Sequence, residues 1–489
     1  MVVHDVAENG GNEVAQNIDS IRVIPYPKRV FLIIGNKFCE RWSFWGLNTI
    51  LVLYLKNELG YTENVTTALY HGFLTTVYFM CIFGGLLSDV WWGKFKTILN
   101  LSIMYFVGFV IMSFSSASIL NISPHVLSIV GLIVIAVCAG GVQPCLSAFG
   151  ADQFKSPEQE PQIVRYFSLF YFAMSLGTVL TIIISPLLKE NVQCFGHDDC
   201  FPLSFGVSAI SMLISIVIFV SGKSSYTCKR SSSENTVIDV FLCIWNAFLT
   251  KFRDGHAKPC KNLLDYSIDK YGHQLVEDTR ILLRIFALYV PLPFFWALYD
   301  QQTSRWILQA SKMNGDIGFF VVLPDQVPLL PPLLLLVFIP LFDTAIYPLL
   351  SKIGIRRPLQ RMVLGGLASA LAFLCSALVQ FQIDRSPEKT VTMLWLVPQY
   401  VSLTVAEVML AITGYSFSYE QAPTNMKSVV QAIWLSTRAF GDLILIFITG
   451  ATFFQSLAYE FLMLSVIMAV DMIVFTGLAY NYKSNSNLK

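Results

Sequence analysis

KSSYTCKRSSSENTVIDVFLCIWNAFLTKFRDGHAKPCKNLLDYSIDKYGHQLVEDTR, residues 223–280, is the only long hydrophilic segment between apolar runs of this chain. It carries Lys223, Lys229, Arg230, Lys251, Arg253, Lys258, Lys261, Lys270 and Arg280. On either side stand six apolar runs of about 20 residues, the length that crosses a bilayer as a helix. The first six lie near 30–55, 67–90, 97–116, 125–148, 164–188 and 202–222, and the second six near 281–300, 326–350, 359–381, 391–416, 428–451 and 457–480. Placing 223–280 in the cytosol satisfies the positive-inside rule, and the same orientation puts Lys94, Lys96, Lys352, Arg356, Arg357 and Arg361 inside. Six spans, a basic linker and six more spans is the division expected of a two-bundle secondary transporter.

Composition agrees. Of 489 residues, 55% are hydrophobic and 13% charged, against about 25% charged in soluble domains. A net charge of +1 argues against nucleic acid as a partner, because phosphate binding needs a concentrated basic face. No HExxH or P-loop pattern occurs, so neither an enzyme, a metal or cofactor site, nor an ATP-driven pump is expected. The expected fold class is therefore an all-α membrane protein of twelve transmembrane helices in two six-helix bundles. The divisions are a cytosolic tail over 1–28, a first bundle over 29–222, a linker over 223–280, a second bundle over 281–481 and a cytosolic tail over 482–489. Cys194 and Cys200 fall in an external loop short enough to close a disulfide, the alternative being two free thiols. Asn64-Val-Thr and Asn121-Ile-Ser are glycosylation acceptor triplets in loops of the same side.

Ionisable residues inside spans cost at least about 2.5–3.5 kcal/mol on insertion scales, so each asks for a partner or a function. Span 1 holds Lys37, Glu40 and Arg41 on one face, two bases to one acid. Span 2 holds Tyr70, His71 and Tyr78; a histidine can be structural or can take up protons between about pH 5 and 8. In the second half stand Arg284, Trp296 and Asp300 in span 7, Asp343 in span 8 and Glu407 in span 10. Pairing Arg284 with Asp343 is the cheapest way to bury both. Glu407 has no partner in its own span and is either a proton acceptor or the group that meets a cationic substrate end. A basic first half and an acidic second half suit a small zwitterion.

Gly85-Leu-Leu-Ser-Asp89-Val-Trp-Trp-Gly93-Lys94-Phe-Lys96 resembles the loop 2–3 signature of the major facilitator superfamily. Glu40-Arg41-Trp42-Ser43-Phe44-Trp45-Gly46 resembles the ExxERFxYYG motif of proton-coupled oligopeptide transporters (the POT or PTR family), and residues 140–154 and 167–177 resemble that family's span 4 and span 5 signatures. Phe295–Trp306 and Phe417–Trp434 are close to the animal peptide transporters, and the likeness runs from about 28 to 480. Only the large external domain of the animal members, between spans 9 and 10, is missing; Arg385-Ser-Pro-Glu-Lys389 makes that connection.

The resemblance implies a multi-pass cell-membrane protein with the major facilitator fold, importing di- and tripeptides with protons and using no cofactor. Arg41 would meet the peptide carboxylate, helped by Tyr54 and Tyr171; Glu407 would meet the amino group. Trp296, Gln302 and Trp434 would line side-chain pockets, and Ser175 stands where a substrate-binding asparagine is expected. His71 with Tyr78, Glu40 and Asp300 would carry proton coupling, and Arg284 with Asp343 would be a gating salt bridge. The departures are Lys37 for the first glutamate of the motif, Gln143 for the span 4 lysine, Pro331 for an asparagine, and Phe44 and Trp45 for two tyrosines. A lysine cannot bind and release a proton as that glutamate does, which puts coupling through span 1 in question. Two other readings follow from these departures: a pH-independent facilitator of another small solute, or a nutrient sensor that binds peptides without moving them.

Overall fold

The computed structural model describes residues 25–482 apart from 118–122, 156–157, 192–193, 195–199, 229–235, 255–261, 317, 319–321, 323 and 451–455. Lipid offers backbone groups no hydrogen bonds, so long apolar runs satisfy them internally by coiling into helices. The first six are α1 (Val30–Leu53), α2 (Glu63–Leu86), α3 (Lys94–Ala117), α4 (Pro124–Ala151), α5 (Glu160–Asn191) and α6 (Phe201–Ser221). A helix inside the linker, α7 (Thr236–Asp254), follows. The second half contains α8 (Ile268–Tyr289), α9 (Leu292–Tyr299), α10 (Arg305–Ser311), α11 (Leu330–Leu341), α12 (Tyr347–Lys352), α13 (Pro358–Arg385), α14 (Val397–Ala406), α15 (Thr413–Gln421), α16 (Lys427–Gly450) and α17 (Leu457–Asn481).

Among the described residues, nine helical stretches are long and apolar enough to cross a membrane, and a tenth is the pair Leu263–Tyr289 and Leu292–Ser311, bent by 40° at Pro291. The two remaining spans are α1 and α16, each 24 residues long. Their apolarity is broken by Lys37, Glu40 and Arg41 in α1 and by Lys427, Arg438 and Asp442 in α16. With these two the spans number twelve.

The linker differs from its hydrophilic reading. In α7, Cys243 and Ala247 pack toward Leu264 and Val276, and Val240 is buried in the main core, while Phe241, Trp245, Phe248 and Phe252 are exposed. Span 7 also begins earlier than its apolar run, at Ile268, and breaks at Gly272, whose φ of +78° suits only glycine comfortably.

Within the first half α1 packs on α5 and α6, α3 on α4 and α6, and α2 on α4; within the second, α13 packs on α14 and α17, and α9 on α16. The halves meet through α2 and α4 against α16 and through α5 against α11. Small residues set the closest approaches. A Cβ on Gly84 would lie 2.3 Å from Gly141 Cα, and one on Gly85 would lie 2.9 Å from Ser428 O across the two halves. At the end of the bundle carrying the basic loops, the halves are stitched by polar contacts. Val429 N donates to Asp89 Oδ2 (3.0 Å), Ser88 and Ser428 hydroxyls lie 3.4 Å apart, and Tyr419 Oη donates to Asp152 Oδ1 (2.6 Å). Lys94 Nζ holds the other oxygen of Asp152 at 2.5 Å. The opposite end carries a disulfide between Cys194 and Cys200, with Cα atoms 5.3 Å apart. Asn121 and the side chain of Asn64 lie outside the described residues.

Candidate functional site

Two clusters of charge sit between the halves. On α1, the spacing Lys37, Glu40, Arg41 turns all three side chains inward, and each is at most 4% exposed. Lys37 Nζ donates to Glu40 Oε2 (2.9 Å), Arg41 Nε donates to the same oxygen (2.7 Å), and Arg41 Nη2 donates to Glu40 Oε1. With its amide oxygen turned toward Arg41, Gln143 of α4 accepts from Nη2 and Nη1 at 3.0 and 3.1 Å. The Phe44 ring lies 4.6 Å from the guanidinium and the Phe170 ring 5.4 Å from the Lys37 ammonium. One carboxylate thus serves two cations, and the cluster keeps one positive charge in surplus.

The second cluster is acidic. Glu407 opens a π-helical turn, Glu407–Ile412, between α14 and α15; such turns shift the helical register and recur at functional sites. Glu407 is 6% exposed, and its carboxylate accepts from Tyr299 Oη (2.9 Å). One residue further, Asp300 binds Arg438 of α16 with both oxygens, one contact being Nε to Oδ2 at 3.1 Å. The rings of Tyr78, Trp296 and Tyr299 surround that guanidinium at 5.0, 5.3 and 5.4 Å. Asp442, one turn along α16, lies beside Asp300 and Arg438.

Two tyrosines join the clusters. Tyr78 of α2 lies within electrostatic reach of both Arg41 and Arg438. Tyr415 of α15 reaches Arg41 and Glu40, and its ring packs edge-on against Tyr171, which in turn reaches Glu407. His71 is exposed, edge-on to Tyr70 and within electrostatic reach of Asp300. Trp296 Nε1 donates to Thr437 Oγ1 (3.0 Å) while its face covers Arg438. Gln302 is buried beside Tyr299, with no partner for Oε1 among the described residues. Ser175 Oγ donates to its own helix, at Tyr171 O (3.1 Å).

Three expected placements differ. Tyr54 lies thirteen residues beyond Arg41, in the π-helical turn Tyr54–Glu58 that continues α1, roughly 20 Å along the axis; its hydroxyl is hydrogen-bonded to Ser115 (3.2 Å) and Ser128 (2.8 Å) in the core of the first half. Trp434 is 1% exposed, edge-on to Tyr289 and pressed against Gly414, inside the second half rather than on a surface shared by the halves. Arg284 and Asp343 are not paired in this conformation. Asp343 accepts from Ser168 Oγ across the halves (3.2 Å), with Arg165 and Arg361 the cations within electrostatic reach, while Arg284 reaches Tyr482. Pairing by sign ignores the azimuth of each side chain on its helix, and that azimuth decides the partner. The residues missed are Arg438 and Asp442. Their signal was present, two ionisable groups one turn apart inside the apolar run 428–451.

A sequence profile described as "PTR2: POT family" matches residues 95–458. The chain belongs to the POT family. Similar curated POT proteins include "Peptide transporter family 1" of Drosophila melanogaster, 32% identical over an alignment covering 94% of this chain and 88% of that protein. "Solute carrier family 15 member 2" of Homo sapiens is 42% identical over 80% of this chain and 54% of its own length, so the chain spans about half of that relative. Among solved POT structures, one described as an auto-inhibited POT family peptide transporter matches with a TM-score of 0.68 at 25% identity, over 94% of this chain and 98% of that one. The POT family transporter PepTSo matches with a TM-score of 0.70 at 24% identity, over 94% and 99%, a likeness of fold. The POT architecture is the major facilitator fold, and the family is one of transporters rather than enzymes.

Proposed function

We propose that this protein is a secondary active transporter that imports di- and tripeptides together with protons through the cell membrane. The observation that carries the reading is the pair of buried clusters of opposite sign, one on each half of the fold. A peptide carboxylate would meet the surplus positive charge of Lys37 and Arg41, and its ammonium would meet Glu407, held ready by Tyr299. Trp296, Gln302 and Tyr171 would flank the side chains. The linked names of its relatives support peptides as the cargo.

The basic loops would face the cytosol, and the disulfide end the exterior. Residues 29–222 and 281–481 would then rock as two bundles about the site, with 223–280 as their linker. The contacts of Asp89, Asp152 and Ser88 with the second half would close the cytosolic end, and Ser168 with Asp343 would be part of that closure. Proton coupling would use His71 and Asp300, which lie within electrostatic reach of each other, with Tyr78 between the halves. Glu40 would stay ionised, since it answers two cations at once.

A second reading has a specific observation behind it. Lys37 is ion-paired with Glu40 at 2.9 Å, which favours a facilitator whose span 1 takes no part in coupling. The test is uptake of a labelled, hydrolysis-resistant dipeptide by the wild type and by the Arg41→Ala and Glu407→Ala variants, with surface expression measured alongside. Loss of uptake in both variants at normal expression is expected; uptake that survives both removes the charge-clamp reading.

A further inference from the structure

The guanidinium of Arg438 occupies a place built for a cation. Asp300 grips it with both oxygens, and Tyr78, Trp296 and Tyr299 turn rings toward it from two helices of different halves. A carboxylate at the base of an aromatic cage is the chemistry that binds ammonium and guanidinium groups. Here the protein fills that cage with its own side chain, which is still 23% exposed. Asp442 supports it from one turn along the same helix. With Asp300 taken by Arg438 and Asp442 hydrogen-bonded to Asp300, the carboxylate left to meet a substrate cation at this site is Glu407.

We propose that Arg438 is the specificity-determining residue of this site, admitting peptides with neutral or acidic side chains and rejecting those that carry a lysine or arginine side chain. This rests on the peptide reading above. The α-ammonium takes Glu407; a second cation then finds the Asp300 cage already filled by Arg438 on one side and the surplus charge of Lys37 and Arg41 on the other. Shut out of the Asp300 carboxylate and its rings, that cation forgoes a charge-assisted hydrogen bond worth about 1.5–3 kcal/mol, which weakens its binding about tenfold or more. An acidic side chain needs no such cage, faces the surplus positive charge of Lys37 and Arg41, and suffers no such loss.

The experiment is inhibition of labelled dipeptide uptake by Ala-Ala, Ala-Glu and Ala-Lys, on the full chain and on Arg438→Gln and Arg438→Lys. The wild type is expected to take Ala-Lys at least about tenfold less well than Ala-Ala, with Ala-Glu close to Ala-Ala. Arg438→Gln abolishes or reverses that ratio because Asp300 is freed to take the incoming cation, and Arg438→Lys retains it. A merely structural arginine would lower all three affinities together and leave the ratios unchanged, which overturns the proposal, as does a wild type that accepts Ala-Lys and Ala-Ala equally. Should the wild type move no dipeptide, the peptide reading fails by itself. The cage is then judged by thermal stabilisation of the purified proteins with butylammonium. A gain in Arg438→Gln over the wild type supports it, and no gain overturns it.

Discussion

Replacing Glu40 by glutamine removes the one acid from a cluster of two cations. The side chains of Lys37, Glu40 and Arg41 are 2%, 1% and 5% exposed, so water screens none of them. The variant loses the carboxylate that accepts from Lys37 Nζ at 2.9 Å and from Arg41 Nε at 2.7 Å, and it leaves two positive charges facing each other. Breaking a buried pair by removing one partner costs about 3–5 kcal/mol, and two bases share this one. Lys37→Gln should cost far less, under about 1 kcal/mol, because one hydrogen bond is lost while the surplus cation disappears. The double variant restores the wild-type surplus of one positive charge. Its cost should fall short of the sum of the single costs by about 1.5–3 kcal/mol, the worth of a charge-assisted hydrogen bond. Reversible unfolding in mixed micelles of dodecyl maltoside and SDS measures all three. Costs that add to within about 0.5 kcal/mol would refute the shared-carboxylate account, as would a Glu40→Gln protein as stable as the wild type.

Other consequences are nearer to transport. Glu407→Gln should weaken dipeptide competition by about ten- to one-hundred-fold at normal expression, the loss of a charged hydrogen bond to the substrate ammonium. Tyr299→Phe, which frees the Glu407 carboxylate of its 2.9 Å donor, should weaken it by no more than about tenfold, measured in the same assay. Because the Ser88 and Ser428 hydroxyls lie 3.4 Å apart across the halves, the pair Ser88→Cys and Ser428→Cys should cross-link under oxidation. Uptake should then fall to below about a tenth, as expected when alternating access is blocked, and return with reductant.

Much of the fold was legible because lipid leaves the chain few choices. The twelve apolar runs specify count and order, and the helices begin and end within a few residues of those runs except at span 7. There the polar stretch His273–Arg280, after the break at Gly272, extends the helix ahead of its apolar run, where hydropathy carries no signal. The span 1 cluster was equally legible, since three charges spaced i, i+3 and i+4 must share a face. Contacts between helices were not. Tyr54 reads as a neighbour of Arg41 only until the rise of the helix is counted, and Arg284 complements Asp343 in charge but not in azimuth. A reading led by family motifs ends at Trp434, one turn short of Arg438, whereas a plain count of intramembrane charges reaches it. The π-helical turn at Glu407 rotates everything after it by a fraction of a turn, and nothing in Val405-Ala-Glu-Val-Met announces it.

The central claim is concentrative movement of peptide driven by protons. Its most direct measurement is uptake of a labelled, hydrolysis-resistant dipeptide by cells expressing the chain, at external pH of about 5.5 and about 7.5, with and without an uncoupler. The account predicts accumulation above the external concentration, greater at the acidic pH and abolished by the uncoupler. Uptake that only equilibrates, alike at both pH values and indifferent to the uncoupler, would contradict it and leave a facilitator in which Lys37 has replaced the coupling group.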